Sequence, residues 1–207
     1  MQYGFFFDNA RCTGCKTCEL ACKDYKGLDA GRTYRRVIDY EGGTWETMPD
    51  GSVSQNCFVY HISLSCNHCS DPACTHVCPT GAMHKDELGL VWPDTTKCIG
   101  CGYCTMACPY HAPVIDQVSK KSSKCDGCRE RTAEGKKPIC VEACPLRALD
   151  FAETSDLLSA HPNCVSSILP LAEPEYTHPN LLINVSAAAA HAAERGDGRI
   201  ANYDEIE

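Results

Sequence analysis

The apolar residues of this chain occur in short runs separated by polar turns, and long amphipathic periods are rare. The runs GFFFD and CFVYHISL are rich in residues that favour β-strands. The sequence AM, the turn DELG and the sequence LVW together predict a β-hairpin. Short strands and strand pairs are predicted at residues 4–8, 34–40, 57–64, 82–92, 114–115 and 147–151. Most of them border a cysteine-rich segment, so the pattern predicts an α+β chain of repeated strand, cysteine loop and short helix.

Cysteine accounts for 18 of the 207 residues, and its spacing is regular. Sixteen of the cysteines form four groups of four: Cys12, Cys15, Cys18 and Cys22; Cys66, Cys69, Cys74 and Cys78; Cys98, Cys101, Cys104 and Cys108; Cys125, Cys128, Cys140 and Cys144. The first and third groups read C-x2-C-x2-C-x3-C, and the others differ only in one wider gap, x4 or x11. Proline follows the last cysteine of every group except the first, which has Lys23. The groups are therefore an internal repeat.

This spacing is typical of proteins that bind 4Fe–4S clusters. Three cysteines at C-x2-C-x2-C lie on one tight loop, and a fourth on a short helix reaches the other cluster of a two-cluster ferredoxin. Zinc sites made of four cysteines use two C-x2-C pairs separated by a longer loop, which only the fourth group resembles. We therefore expect four 4Fe–4S clusters on bacterial-ferredoxin-like modules.

Composition and charge restrict the cellular compartment and the kinds of partner expected for this chain. The N-terminal sequence MQYGFFFD has neither the basic region nor the long apolar region of a signal peptide, and no stretch reaches the 18 apolar residues of a membrane span. We expect synthesis in the reducing cytoplasm, where thiols remain available to metal and disulfides are rare. A formal net charge of −8 argues against a nucleic-acid partner.

The spacing alone leaves the pairing of the groups open. The second and third groups, joined by the predicted hairpin, would form one complete ferredoxin inserted into another made by the first and fourth groups. Pairing the first group with the second, and the third with the fourth, fits the linker lengths equally well.

Four segments carry a resemblance to a known family: RCTGCKTCELACKDYK, SCNHCSDPACTHVCPTGAMHK, CIGCGYCTMACPYHAP and KCDGCRERTAEGKKPICVEACPLRALDF. They closely resemble the iron–sulfur (B) subunits of the anaerobic dimethyl sulfoxide reductase family, and the likeness covers nearly all of residues 2–151. Related iron–sulfur subunits serve nitrate, polysulfide and thiosulfate reductases and formate dehydrogenases. The resemblance implies that the first group pairs with the fourth and the second with the third.

The resemblance also implies four ligand sets, each completed by a cysteine from the paired group. The first to fourth sets are, in order, Cys12, Cys15, Cys18 and Cys144; Cys22, Cys125, Cys128 and Cys140; Cys66, Cys69, Cys74 and Cys108; and Cys78, Cys98, Cys101 and Cys104. Nitrate reductase relatives have tryptophan in place of Cys101 and a 3Fe–4S cluster there. With Cys101 present, all four clusters should be 4Fe–4S.

The nested modules implied by this pairing divide the chain into four parts. They are an outer module of residues 1–24 and 117–151, an insertion of residues 25–56, an inner module of residues 57–116 and a tail of residues 152–207. The prolines of the tail predict an extended C-terminal arm that could wrap a partner, with a short helix near residues 187–195. A partly disordered terminus fits the composition equally well.

The function implied by the resemblance is electron transfer without catalysis. Quinol would be oxidised at an integral membrane anchor subunit, and this chain would pass the electrons to a molybdopterin-containing catalytic subunit. The chain would then lie at the membrane through its partners, and a partner with a twin-arginine signal could carry it to the periplasmic face. There are two alternatives. The chain could be an equivalent subunit of a polysulfide or thiosulfate reductase, or of a formate dehydrogenase or hydrogenase complex. It could also be a self-standing polyferredoxin.

A few residues outside this scheme carry their own expectations. Cys57 and Cys164 belong to no group and are expected to be small buried apolar side chains. His68 and His76 lie inside the second group, where they are expected to be surface or supporting residues. The basic segment of residues 120–137 is expected to balance the charge of an anionic cluster and to dock a partner.

Overall fold

The computed structural model describes residues 1–206, which combine short strands with short helices in an α+β fold. The strands are β1 (Tyr3–Asp8), β2 (Arg36–Gly42), β3 (Trp45–Thr47), β4 (Val53–Gln55), β5 (Phe58–Leu64), β6 (Met83–Lys85), β7 (Val91–Pro93), β8 (Val114–Ile115), β9 (Ser122–Ser123), β10 (Leu149–Glu153), β11 (Leu181–Asn184) and β12 (Arg199–Ile200). The helices are α1 (Thr17–Tyr25), α2 (Ala73–His76), α3 (Tyr103–Ala107), α4 (Arg129–Ala133), α5 (Ile139–Glu142), α6 (Thr154–Ala160), α7 (Ala187–Arg195) and α8 (Tyr203–Ile206). Within residues 1–206, no helix has both the length and the apolar character to cross a membrane.

One three-stranded sheet, in the order β10-β1-β11, forms beside the first and fourth cysteine groups. Strand β1 is antiparallel to β10 and parallel to β11. Its residues Phe5 and Phe7 pack into the main core, while Phe6 faces Leu157 and Leu182 on the other side. Because both faces of β1 are buried, its sequence is a continuous apolar run without polar alternation. The strand predicted at residues 4–8 is confirmed.

A second three-stranded sheet, in the order β12-β2-β5, joins three parts of the sequence. Strand β2 is antiparallel to β5 over seven residue pairs, from Arg36 opposite Leu64 to Gly42 opposite Phe58. The rings of Tyr40 and Tyr60 lie on adjacent strands with their centroids 5.4 Å apart. Residues 25–56 therefore supply the central strand of a sheet that also uses residues 57–64 and the tail.

The prediction of an extended C-terminal arm is wrong. Strand β11 of the tail pairs with β1, β12 pairs with β2, and α7 packs against β5. Apolar packing explains the position of the tail. Leu181 and Ile183 enter the main core, and α7 packs against this core through the small side chains of Ala189 and Ala192. The predicted helix near residues 187–195 is confirmed as α7, which begins where the Ser186 hydroxyl accepts a hydrogen bond from the Ala189 amide.

Two small hairpins flank the second and third cysteine groups. Strands β6 and β7 pair with Met83 opposite Pro93, which confirms the hairpin predicted at residues 82–92. Strands β8 and β9 pair with Val114 opposite Ser123. Each hairpin ends next to a cysteine loop, so the backbone of these loops is held from both sides.

Candidate iron–sulfur cluster sites

Each cysteine group folds as a loop followed by a short helix that carries its third cysteine, Cys18, Cys74, Cys104 or Cys140. In three groups the helix ends before the fourth cysteine, because the proline that follows disfavours a helical conformation at the preceding residue. Cys108, for example, is extended, with ψ 114°. Only the first group has its fourth cysteine, Cys22, inside the helix, since Lys23 lets α1 continue to Tyr25. The expectation that every fourth cysteine lies on a helix is therefore wrong for three groups.

The residue before the second cysteine has a left-handed backbone in all four loops. Glycine occupies this position in three of them, and a Cβ on Gly100 would meet the Lys120 carbonyl oxygen at 2.1 Å. In the second group the position is His68, with φ 44°. This turn points successive backbone N–H groups into the loop, which is the arrangement that binds anions and cluster sulfurs.

The thiols of the inner groups line two cavities. Those of the third set line one cavity, and those of the fourth set line the other. Cys108 of the third group thus faces the cavity of the second group, and Cys78 does the reverse. Within residues 1–206, no three His, Cys, Asp or Glu side chains converge closely enough to hold a single metal ion, whose sulfur ligands would lie about 3.8 Å apart for zinc. The thiols surround a space larger than one ion.

The thiols of the outer groups are brought together in the same exchanged manner. Burial raises the pKa of Cys12 to about 11, and the thiols that add to this rise are those of Cys18, Cys144 and Cys15. Burial also raises the pKa of Cys22, with further contributions from thiols of the fourth group, including Cys125. Cys144 therefore lies among the first group, and Cys22 lies among the fourth.

Backbone amides donate to sulfur in these sites. The four N–H···Sγ contacts are His68 to Cys66 at 3.4 Å, Met83 to Cys78 at 3.3 Å, Ser122 to Cys98 at 3.3 Å and Ala148 to Cys144 at 3.3 Å. A donor to sulfur favours the thiolate over the thiol and favours the more anionic state of a cluster. The donors and the soft thiolate ligands both fit an iron–sulfur cluster.

Arg35 is a buried cation between the first and second sets, and its side chain is 2% exposed. Its guanidinium donates to the Ser63 carbonyl at 3.0 Å and to the Ser65 hydroxyl at 2.8 Å. Burial alone would lower the pKa of Arg35, but the neighbouring thiolates, led by Cys140 and Cys18, raise it. Because Cys18 belongs to the first set and Cys140 to the second, one charge serves both. The sequence carried no signal for this residue.

Lys124 occupies the equivalent place between the second and third sets. It is buried, and its ammonium donates to the carbonyls of Val91 and, at 2.8 Å, Cys125. Burial would lower the pKa of Lys124, but the thiolates of Cys66 and Cys125 raise it. The position of Lys124 agrees with the expected charge balance, but its burial leaves it unavailable for docking a partner.

Other cations of residues 120–137 are largely neutralised by neighbouring carboxylates. The pairs are Arg129 with Asp86 at 3.3 Å, Arg131 with Glu142, Lys136 with Glu134 at 2.7 Å, and Lys137 with Asp150. The expected basic docking patch is thus smaller than the sequence indicates.

His68 is fully buried beside Cys125, so of the two expected positions it has the supporting one. Its Nδ1 accepts a hydrogen bond from the Val91 amide at 2.9 Å, which leaves the proton of the neutral ring on Nε2. Burial lowers the pKa of His68 and keeps the ring neutral. His76 is exposed and pairs with Asp71 at 2.6 Å.

The two cysteines outside the sets differ from each other. Cys57 is exposed, which contradicts the expected burial, because the strand alternation that turns Phe58 into the core turns its neighbour outward. Cys164 is half-buried and packs against the small cluster formed by Phe6, Leu157 and Leu182, as expected for a small apolar side chain.

The four sets form a series in space, with an exposed thiol at each end. Arg35 lies between the first and second sets, Lys124 lies between the second and third, and helices α2 and α3 pack together between the third and fourth. Among the sixteen cysteines of the sets, Cys15 of the first set and Cys101 of the fourth are exposed. The first and fourth sets are therefore the ones with a solvent-exposed thiol.

Two segments match the sequence models of known iron–sulfur domains. Residues 57–154 match the 4Fe-4S dicluster domain, and residues 9–27 match the 4Fe-4S binding domain. Between them these segments contain all sixteen cysteines of the four groups.

Full-length relatives extend the similarity to the whole chain. The B subunit of the anaerobic dimethyl sulfoxide reductase of Escherichia coli is 53% identical, covering 99% of this chain and 98% of the relative. The protein of the same name from Haemophilus influenzae is 56% identical over 88% of each chain. The thiosulfate reductase electron transfer subunit of Salmonella typhi is 35% identical over 75% of this chain and 78% of the relative. The chain therefore belongs to the family of the anaerobic dimethyl sulfoxide reductase B subunits and is an iron–sulfur electron-transfer subunit.

Proposed function

We propose that each of the four sets holds one 4Fe–4S cluster and that the chain passes electrons along this series between two partner proteins. The observation that carries the proposal is the order of the sets in space, with the exposed thiols of Cys15 and Cys101 at opposite ends. The exchange of fourth cysteines between paired groups supports it, because two-cluster ferredoxins use the same exchange. The modules would then be nested, with residues 57–116 inside residues 1–24 and 117–151.

A bound 4Fe–4S cluster supplies a site that gains and loses one electron without breaking a covalent bond. The chain's own residues do the rest. Backbone amides of His68 and Ala148 donate to ligand sulfurs, and Arg35 and Lys124 place positive charge between neighbouring sets. The low exposure of the central sets keeps water away from the sulfurs, and this too sets the reduction potential.

The partners we propose are an integral membrane subunit that oxidises quinol and a molybdopterin-containing subunit that reduces the substrate. Two relatives are B subunits of a dimethyl sulfoxide reductase, a name that implies further subunits. Ile99 and Met106, near Cys101 in the sequence, are exposed apolar side chains. Such side chains suit contact with a partner. Dimethyl sulfoxide or a related S- or N-oxide is the proposed terminal substrate. The chain would lie at the membrane through these partners, on the periplasmic face if a partner with a twin-arginine signal exports it.

Turnover of the assembled complex tests this function. A quinol analogue should drive dimethyl sulfoxide reduction by the complex, and this activity should disappear in a complex that lacks the chain. A reduced dye that reaches the catalytic subunit directly should still support turnover without it. Sulfoxide reduction by the isolated chain, or quinol-driven turnover in its absence, would overturn the proposal.

A further inference from the structure

Three buried polar side chains line the cavity of the third set, and each has a polar atom that makes no hydrogen bond of good geometry. They are Asn67 through Nδ2, Tyr110 through its hydroxyl and Thr177 through Oγ1, and all three line the cavity. A buried donor with no acceptor destabilises a fold, so such groups are uncommon and call for a reason. Three of them around one cavity indicate that acceptors belong inside it.

The three groups lie together on the Cys69 side of the cavity. The Thr177 hydroxyl lies within reach of the sulfur of Cys69, a member of the third set. The Tyr110 hydroxyl lies within reach of the side chains of Thr177 and Asn67. The hydroxyls and the amide are therefore close both to one another and to a ligand sulfur.

Thr177 reaches this cavity because the tail is fastened to the second cysteine loop. We call residues 177–180 the clamp segment. Four hydrogen bonds hold it there: the Ser70 amide to the His178 carbonyl at 2.7 Å, the Asp71 amide to the Thr177 carbonyl at 3.1 Å, the Asn180 amide to the Asn67 carbonyl at 3.0 Å, and Asn180 Nδ2 to the His68 carbonyl at 2.8 Å. Bonds to four different residues of the loop fix the clamp segment in register with it.

The cavity of the fourth set has a different wall. It is lined by apolar side chains such as Met83, Ile99 and Ile115. Its hydroxyls already face thiols, with Ser122 at 3.4 Å from Cys104. Within residues 1–206, none of the unpartnered polar atoms lines this cavity. Among residues 1–206, unpartnered polar atoms therefore occur in residues that line the cavity of the third set and not in those that line the cavity of the fourth.

We propose that the clamp segment, through Thr177, joins Asn67 and Tyr110 in donating hydrogen bonds to the sulfurs at the third set and so raises the reduction potential there. The inference rests on the proposed function, because it requires a cluster at the third set. Donors to sulfur stabilise the added negative charge of the reduced state, which moves the potential upward. The buried ammonium of Lys124, which also lines this cavity, acts in the same direction. The tail therefore has a redox role at the third set.

The test is a redox titration of the full complex, followed by the paramagnetic signals of the reduced clusters. Thr177→Val and Tyr110→Phe each remove one hydroxyl and keep the side-chain shape. Each should change the redox equilibrium of one cluster about tenfold. This lowers its midpoint potential by about 59 mV for one electron. Thr177→Ser keeps the hydroxyl and should leave all potentials unchanged. Tyr176→Phe is the matched control, because Tyr176 is 73% exposed in the same stretch of tail.

Iron and acid-labile sulfide analysis of every variant separates the two ways of failing. If the wild-type chain holds fewer than four clusters, the proposed function itself fails. If all variants hold four clusters and neither Thr177→Val nor Tyr110→Phe moves a potential, the inference is wrong. An equal fall of all four potentials would also contradict it, since this indicates general loosening. The signal that shifts must differ from the one altered by Cys101→Ser, which lies in the fourth set.

Discussion

The Nε2 atom of His68 lies 4.0 Å from the Sγ atom of Cys125, although the two residues belong to the second and fourth cysteine groups. The Val91 amide occupies Nδ1, so the ring presents its N–H to the sulfur. His68 also donates its own amide to Cys66 of the third set. One residue thus contacts sulfurs of both the second and the third set.

Replacing Arg35 with methionine should destabilise the loaded chain and lower potentials in the outer module. The substitution removes the buried cation between Cys18 and Cys140, and breaking such a buried charge pair costs about 3–5 kcal/mol of unfolding free energy. Anaerobic denaturation and redox titration would measure both effects. Arg35→Lys keeps the charge and should therefore lower the potentials of the outer module less than the methionine substitution does.

The matched control for this prediction is Arg36→Gln, which removes the same charge from the next residue. The Arg36 guanidinium donates to the carbonyls of Ile206 and His111, away from the outer sets. Equal effects of the two substitutions on the outer potentials would show that position does not matter and would contradict the account.

Within the basic segment, Lys124 and Lys120 should differ sharply. Lys124→Gln removes a buried charge beside Cys66 and Cys125, so we expect the potentials of the second and third sets to fall. Lys120→Gln removes an exposed charge that solvent and salt already screen, and its effect should be small. Redox titrations at low and high salt would compare them. A larger shift for Lys120 would be incompatible with these positions.

Cys101→Ser should convert the cluster of the fourth set into a 3Fe–4S cluster. Losing one thiolate removes one iron corner, and the resemblance to nitrate reductase relatives with tryptophan here implies that the fold tolerates the loss. A three-iron cluster of higher potential would hold the electron, so quinol-driven turnover should fall while dye-driven turnover persists. The oxidised variant should show a near-isotropic paramagnetic signal that the wild type lacks.

Cys57→Ser provides the control for this prediction, because Cys57 is exposed and belongs to no set. It should retain four 4Fe–4S clusters and full quinol-driven turnover. If Cys101→Ser also retains four such clusters, Cys101 is not a ligand and the composition of the fourth set must be revised.

Cluster loading should depend on pH through the buried thiols. Burial raises the pKa of Cys69, Cys74 and Cys128 from 9.0 to about 12, so these thiols are protonated in the cluster-free chain at neutral pH. Iron binding needs thiolates and must release these protons, so iron uptake should strengthen as the pH rises from about 7 to about 8.5. Proton release in weakly buffered solution would measure the linkage.

The same raised values predict how the stability of the cluster-free chain changes with pH. Thiols whose pKa is higher in the folded state stabilise it fully below pH 9, and this contribution is lost as the pH rises toward 12. The unfolding midpoint of the cluster-free chain should therefore fall above pH 9. The loaded chain, whose thiolates are already ligated, should change less. The opposite order would contradict the burial of these thiols.

The sequence was sufficient for the parts of the molecule that depend on local spacing. The cysteine groups, the hairpin at residues 82–92 and the strand at residues 4–8 follow from short patterns of cysteine, glycine and apolar residues. The helix ends were predicted less well, because three of the fourth cysteines lie just beyond a helix and not within it.

The charged and polar residues around the sulfurs could not be predicted in this way. Arg35 reaches the outer sets only because β2 pairs with β5, and Thr177 reaches the third set only because β11 pairs with β1. These positions depend on contacts between distant parts of the chain, which leave no periodic signal. The packing of the tail could not be predicted from the sequence for the same reason. Its prolines suggest an extended arm, whereas a few apolar residues determine where the tail packs.

The content of iron and acid-labile sulfide per chain, measured after anaerobic reconstitution, tests the central claim most directly. Four complete sets of four cysteines predict about sixteen irons and about sixteen sulfides per chain. A plateau near eight irons, or stoichiometric zinc in their place, would contradict the account.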